Sequence, residues 1–339
     1  MIKLSRAIEL FDLEEDRVKA EIARLGARRV FVQLPEGLKP AAPRIASVIE
    51  EAGALAIISA DPCYGACDLA VHEAEILSAD LIIHYGHSGM PGLEIGVPIL
   101  YVEARANVSV RDAVEDALKH LEPWDNIGLA ATVQHVHALN EAREILEGAG
   151  KRVYVGHVAG LKYHGQVLGC DYRNAKAISD LVEAFLLIGG GLFHALGLFL
   201  ATMKPTIVAD PFEGKARRVD DEANRVINRR WMDISEAMGA RRWGVIMGLK
   251  TGQTNLESSL RIKGDLEAAE KEVVLLAMRE VTPEALMEFP SIEAYVNTAC
   301  PRISLYESRK FPRPLLTPRE VYVALGKMRW EDYLRLGML

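Results

Sequence analysis

The sequence predicts an α/β protein built of three related small parallel-sheet domains. Three observations carry this expectation. Short apolar, strand-like runs alternate with longer helical stretches, the pattern of parallel strands joined by crossover helices. The pattern restarts twice, which divides the 339 residues into 1–115, 116–215 and 216–339. Each division carries at least one of the four cysteines, Cys63, Cys67, Cys170 and Cys300, just past an expected strand end. A chain of this length also exceeds one small core and suits units of ~100–150 residues.

In the first division, residues 29–34 (Arg-Val-Phe-Val-Gln-Leu) read as a strand, 40–52 as a helix stopped by Gly53, and 54–60 as a second strand. A loop over 61–67 holds Cys63 and Cys67, and 69–79 is helical. Residues 81–85 and 98–102 are two more strands. The second division opens with a strand at 127–132, a helix at 137–149 closed by Gly150, and a strand at 152–158. A loop leads to Cys170, followed by a helix at 175–181 and strands at 184–188 and 206–209. The third begins near Val219 with a polar helix, where Asp220-Asp221-Glu222 places negative charge at the helix N-terminus. Strands follow at 243–247 and 273–278, with a helix at 256–270 between them. A last run, 294–299, ends at Cys300.

Composition narrows the function. Apolar residues make up 50% and charged residues 26% of the chain, an ordinary soluble balance. The net charge of −7 disfavours broad binding to nucleic acid or anionic membrane. The pairs Arg217-Arg218, Arg229-Arg230 and Arg241-Arg242 read as solvated helix faces or strand starts. The opening Met1-Ile2-Lys3-Leu4-Ser5 lacks the pattern of a signal peptide, so a cytoplasmic chain with reduced thiols is expected. Residues 184–203 are nearly uncharged and long enough to span a bilayer. The triplet Gly189-Gly190-Gly191 and His194 argue instead for a buried strand, a glycine turn and a short apolar helix.

The cysteines carry the functional question. Ligands of parallel α/β sheets gather beyond the carboxyl ends of the strands. Three thiolates meeting there would hold three irons of a cubane and leave the fourth open to a small chelating substrate. Spacing alone leaves three readings open: a metal cluster, inert core thiols, or a redox or nucleophilic cysteine. Cys63-x3-Cys67 is not a CxxC pair. His135 and His137 lack an adjacent cysteine or carboxylate motif for zinc. Met203, Met232, Met238 and Met247 are expected to pack in the core.

The loops around the cysteines are more specific. Gln33-Leu34-Pro35-Glu36-Gly37-Leu38, Tyr64-Gly65-Ala66-Cys67-Asp68 and His84-Tyr85-Gly86-His87-Ser88 come first. Gly165-Gln166-Val167-Leu168-Gly169-Cys170 and Gly191-Leu192-Phe193-His194-Ala195-Leu196-Gly197 follow. Gly248-Leu249-Lys250-Thr251-Gly252-Gln253 and Ala299-Cys300-Pro301-Arg302-Ile303 complete the set. Together, in this order, they resemble the archaeal diphthamide-synthesis enzymes, the 2-(3-amino-3-carboxypropyl)histidine synthases, across nearly the whole chain.

The resemblance implies a pseudo-threefold arrangement of the three domains around a [4Fe–4S] cluster held by Cys67, Cys170 and Cys300. Cys63 lies outside that set as a spare thiol, a substitute ligand or a packed loop residue. The implied activity is a non-standard radical S-adenosylmethionine reaction. Reductive cleavage gives 5′-methylthioadenosine and a 3-amino-3-carboxypropyl group, which joins the imidazole C2 of a histidine in translation elongation factor 2. Because the cofactor carries the hard chemistry, the protein's task is orientation. Glu36, His87, His194 and Gln253 are the candidate residues for binding S-adenosylmethionine. The resemblance further implies a homodimer and an electron donor that the sequence does not identify. Two rival readings are a quinolinate synthase-like enzyme, whose cluster acts as a Lewis acid, and a non-catalytic iron–sulfur electron-transfer subunit.

Overall fold

A computed structural model describes residues 10–89 and 96–339. The reading of residues 1–5 lies outside them. Among the described residues the fold is α/β, with three sheets whose strands are predominantly parallel.

The first sheet has the order β2-β1-β3-β4. Helix α1 (Glu15–Leu25) precedes β1 (Arg29–Gln33), and α2 (Ala42–Glu51) leads to β2 (Leu55–Ile58). Gly53 makes the turn between them at φ +86, where a side chain would be strained. Helix α3 (Val71–Ile76) then precedes β3 (Leu81–Tyr85), and β4 (Ile99–Val102) forms the edge. All five residues of β3 are buried, as expected of a central parallel strand covered on both faces.

The second sheet has the order β6-β5-β7-β8-β9. Its elements are α4 (Arg111–Leu121), β5 (Asn126–Ala131), α5 (Leu139–Gly148), β6 (Arg152–Tyr154), α6 (Arg173–Lys176) and β7 (Ala184–Ile188). After the glycine turn come α7 (Phe193–Thr202), β8 (Thr206–Asp210) and β9 (Lys215–Arg218). Residues 184–203 therefore form the expected strand, turn and ten-residue helix. No helix among the described residues is long and apolar enough to cross a membrane.

The third sheet has the order β11-β10-β12-β13. The long helix α8 (Asp220–Met238), with its acidic first turn, precedes β10 (Arg242–Gly248), α9 (Leu256–Glu267) and β11 (Glu272–Met278). Then come α10 (Pro283–Met287), β12 (Ala294–Asn297), α11 (Pro301–Glu307), β13 (Leu315–Leu316), α12 (Pro318–Ala324) and α13 (Trp330–Arg335).

The chain forms two compact units. One comprises residues 1–168, 173–191 and 207–217; the other comprises 169–172, 192–206 and 218–339. The first and second sheets thus share a unit. The short segment bearing Cys170 and the helix α7 belong with the third sheet.

Two expectations need correction. Arg230 is not solvated: it is fully buried, 2.6 Å from both Asp233 and Glu320, which are buried too. A charge is kept inside because guanidinium and carboxylates satisfy one another. Met232 and Met238 are not core residues but are exposed on α8. The helix turns its buried stripe of Ala223, Ile234 and Ala237 the other way.

Candidate functional site

Each cysteine loop begins from a strand end that fixes its start, and buried amide side chains hold the loops in shape. In the first sheet Gln33, the last residue of β1, stands in register with His84 of β3. Its Nε2 donates to the Asp68 carbonyl at 2.9 Å, and its Oε1 accepts from the Ala70 N–H at 2.9 Å. Asp68 closes the turn from its other side. Its N–H donates to the Gly65 carbonyl, and its carboxylate accepts from the Tyr64 N–H. Cys67 is half-buried in this turn, its sulfur over Gly65, where a Cβ would lie 3.5 Å from it.

Cys63 is buried in the same loop, with its sulfur 3.8 Å from His84 Nε2. His84 Nε2 also lies 3.0 Å from His87 Nδ1. Burial, with His87 adding to it, holds the His84 imidazole well below its usual range, so His84 is neutral at pH 7.

The second loop leaves the sheet after β6. Gly156 passes so close to the backbone of Asn174 that a Cβ would lie 1.8 Å from the Asn174 carbonyl oxygen. Asn174 is buried. It accepts from the Val158 N–H and donates to the carbonyls of Tyr163 and Gln166. Gln166, also buried, donates to Ser88 Oγ at 2.6 Å and so ties this loop to the segment after β3.

Cys170 is exposed, in the second compact unit. Its neighbour Gly169 faces the Phe193 ring at 2.8 Å and Arg302 Cδ at 3.4 Å, measured from where its Cβ would stand. The Arg302 guanidinium lies 3.7 Å over the Phe193 ring centroid, and Tyr306 meets the same ring edge-on. Such stacking fixes the plane of a guanidinium and so the directions of its N–H groups.

Cys300 follows β12 and precedes α11. Asn297, the last residue of β12, is buried. Its Oδ1 accepts from the N–H groups of Ala299 and Cys300 at 3.0 and 3.3 Å. Its Nδ2 donates to the Cys300 carbonyl at 2.7 Å.

Cys170 and Cys300 share one neighbourhood within the second unit. Burial pushes the Tyr172 phenol well up; Tyr306 and Cys170 add to this, and Arg302 opposes it. Burial likewise pushes the Tyr306 phenol up, against Arg302 and with Cys300. Neither buried phenol oxygen has a hydrogen-bond partner among the described residues.

Among the other expected residues, Glu36 is exposed after β1 and pairs with Lys39 at 2.7 Å. His87 is half-buried against His84. His194 is half-buried near the start of α7, its ring 4.8 Å from Phe193. Gln253 sits in the turn after β10, its N–H bonded to the Lys250 carbonyl at 2.9 Å. His135 is buried, its ring edge against Phe212.

Sequence reasoning quoted Gln33 and Arg302 only as parts of motifs and missed Asn174 and Asn297 as site-building residues. A polar residue closing an otherwise apolar strand was the available signal for Gln33 and Asn297. Asn174 carried none.

The profile of the diphthamide synthesis protein family matches residues 34–334. The 2-(3-amino-3-carboxypropyl)histidine synthase of Pyrococcus horikoshii is 39% identical over 319 residues, covering 94% of this chain and 91% of that one. Subunit 1 of the corresponding enzyme from Gallus gallus is 30% identical over 326 residues, covering 95% and 78%. The crystal structure of Dph2 from Pyrococcus horikoshii with a 4Fe-4S cluster superposes with a TM-score of 0.86 at 38% identity, covering 94% of this chain and 92% of that one. With a match over nearly its whole length, the chain belongs to the diphthamide synthesis protein family.

Proposed function

We propose that this chain is the transferase of the first step of diphthamide synthesis. It moves the 3-amino-3-carboxypropyl group of S-adenosylmethionine to the imidazole C2 of a histidine in translation elongation factor 2. The relation to histidine synthases over nearly the whole of both chains supports this reading. It weighs against a quinolinate synthase-like enzyme.

The proposed cluster ligands are Cys67, Cys170 and Cys300. The donor set fits a [4Fe–4S] cluster: none of these thiols is tied up in a disulfide, and three ligands leave one iron open. A reduced cluster held there would supply the electron for cleavage of the sulfonium at its Cγ bond, with 5′-methylthioadenosine as the leaving product. The observation that carries the ligand assignment is the loop architecture. Buried amides fix the turn of Cys67 and the backbone of Cys300; Cys170 acts on the Tyr172 phenol and Cys300 on the Tyr306 phenol, and Arg302 acts on both.

The chain's own residues orient the substrate. Arg302, pinned on Phe193 beside Gly169, offers a fixed cation for the methionine carboxylate. His194 flanks the same ring from α7. Gln253, His87 and Glu36 are proposed as further contacts to S-adenosylmethionine, Gln253 and His87 in turns just beyond a strand and Glu36 at the start of a short 3-10 helix after β1.

The proposed assembly is a homodimer, of archaeal type, in the cytoplasm. An unidentified reductant and the protein substrate are its partners. In support of self-association, the edge strand β11 exposes Val274 and Leu275, and α9 exposes Leu256 and Leu260. An apolar open edge of this kind calls for a cover.

Anaerobic purification, iron and sulfide counts and an EPR spectrum of the reduced protein test the reading. Adding S-adenosylmethionine to the reduced chain alone is expected to release 5′-methylthioadenosine. Cys67→Ala, Cys170→Ala and Cys300→Ala each abolish or cripple the EPR signal. A wild-type chain that assembles the cluster yet releases no 5′-methylthioadenosine would be an electron-transfer subunit.

A further inference from the structure

We propose that Cys63, His84 and His87 form a mononuclear site for a zinc-like divalent metal, separate from the iron–sulfur ligands. Cys63 Sγ, one nitrogen of His84 and one of His87 all lie within 4.8 Å of one another. The His84 Nε2–His87 Nδ1 distance is 3.0 Å and the Cys63 Sγ–His84 Nε2 distance is 3.8 Å. A tetrahedral zinc with bonds of ~2.0–2.1 Å to nitrogen and ~2.3 Å to sulfur places such pairs at roughly 3.3 and 3.6 Å. These two distances lie within a few tenths of an ångström of the tetrahedral values, and the third pair, Cys63 with His87, lies within 4.8 Å and closes onto the metal.

The imidazole of His84 is set in the right tautomer. Its Nδ1 faces Gln33 Oε1 at 3.4 Å. That oxygen is identified as oxygen by its other bond, accepted from the Ala70 N–H, while the amide nitrogen donates to the Asp68 carbonyl. An amide oxygen only accepts, so Nδ1 keeps the proton and the Nε2 lone pair points to Cys63 and His87.

The scaffold is rigid. His84 is fully buried within β3, in register with Gln33 on one side and Tyr101 on the other. Gly86, at φ +80 and with room for no Cβ against Pro35, turns the chain so that His87 comes back onto His84. One thiolate and two imidazoles select zinc or its cobalt substitute over magnesium or calcium. Three protein ligands leave a fourth position for water or a substrate group.

The test uses the full chain, loaded anaerobically with iron and sulfide, then given zinc and desalted. The expected content is about one zinc per chain besides the iron. Its X-ray absorption should show one sulfur among nitrogen and oxygen scatterers. Cys63→Ser and His87→Ala are each expected to weaken zinc retention at least about tenfold and leave iron content unchanged. Cys67→Ala is expected to do the reverse. Loss of iron in Cys63→Ser with zinc retained would make Cys63 a cluster ligand and overturn the proposal. So would a wild-type chain that retains no zinc, or retains no more than both variants. All readouts are metal contents, so a failure of the transferase reading, seen as absent 5′-methylthioadenosine, leaves this test standing.

Discussion

Asn297 shows how much one buried amide can decide about a cysteine. Its side chain satisfies two N–H groups and one carbonyl around Cys300, and its Nδ2 also reaches Ser304 Oγ at 3.3 Å. Asn297→Ala removes all of these partners from a site where water does not easily replace them, which costs about 2–4 kcal/mol. The expected outcome is a lower urea midpoint and less iron retained after reconstitution. Asn297→Asp keeps the acceptor for both N–H groups and falls between the two. A second residue-scale prediction concerns pH. Burial, with His137 adding to it, lowers the His135 pKa to about 4. The unfolded chain takes up this proton below the ordinary value of ~6.5, whereas the folded chain does not. Stability from His135 is therefore complete above pH ~6.5 and declines as pH falls toward 4, by up to about 3 kcal/mol. Denaturant unfolding at pH 7, 5.5 and 4.5 measures the slope, and His135→Leu is expected to flatten it.

Among the elements, β6 is informative because it is shorter than its sequence. Residues 152–158 read as one strand, yet β6 stops at Tyr154. The chain leaves the sheet because Gly156 must pass against the Asn174 backbone, and its carbonyl accepts from the Gly165 N–H at 2.8 Å. Gly156→Ala would drive a methyl into a carbonyl oxygen that cannot swing away. A loss of about 3 kcal/mol or more is expected. Gly264→Ala is the control: that glycine lies exposed in α9 with open space around it, and alanine there should add about 0.5–1 kcal/mol. Thermal melts of both variants beside wild type check the two opposite signs. The same contrast explains what the sequence could disclose. A strand such as β7 is apolar throughout, because both faces are covered, and could be read directly. Helices α10 to α13 are two turns or less, too short for a periodic stripe, and went unread. Strand β9, Lys-Ala-Arg-Arg, is too polar to show itself. At the site, the cysteines were legible through the motifs around them. Pairings such as Gln33 with His84 and Cys63 with His84 arise from sheet register between distant segments, which no local pattern encodes.

On the scale of the molecule, three sheets repeat one strand order, with the first strand of each beside the second and the third. The compact units nonetheless cut across the threefold reading of the chain, because the Cys170 segment and α7 join the unit of the third sheet. That unit has its own electrostatic keystone in Arg230. Its guanidinium donates to Asp233, to both Glu320 oxygens and to the carbonyls of Ser304 and Leu315, so it ties α8 to α11, β13 and α12. Arg230→Met leaves Glu320 buried without this partner, a change that costs about 3–5 kcal/mol. Adding Glu320→Leu removes the stranded charge and should recover much of the loss, while Asp233 keeps Arg229 at 2.9 Å. The tryptophans report where this loss is felt. Trp231, Trp243 and Trp330 lie in the unit of Arg230, whereas Trp124 lies in the other. In Arg230→Met the midpoint from tryptophan fluorescence is therefore expected to fall further than the midpoint from far-ultraviolet circular dichroism, which samples both units. Coincident midpoints that shift together would show instead that the whole chain unfolds as one cooperative body.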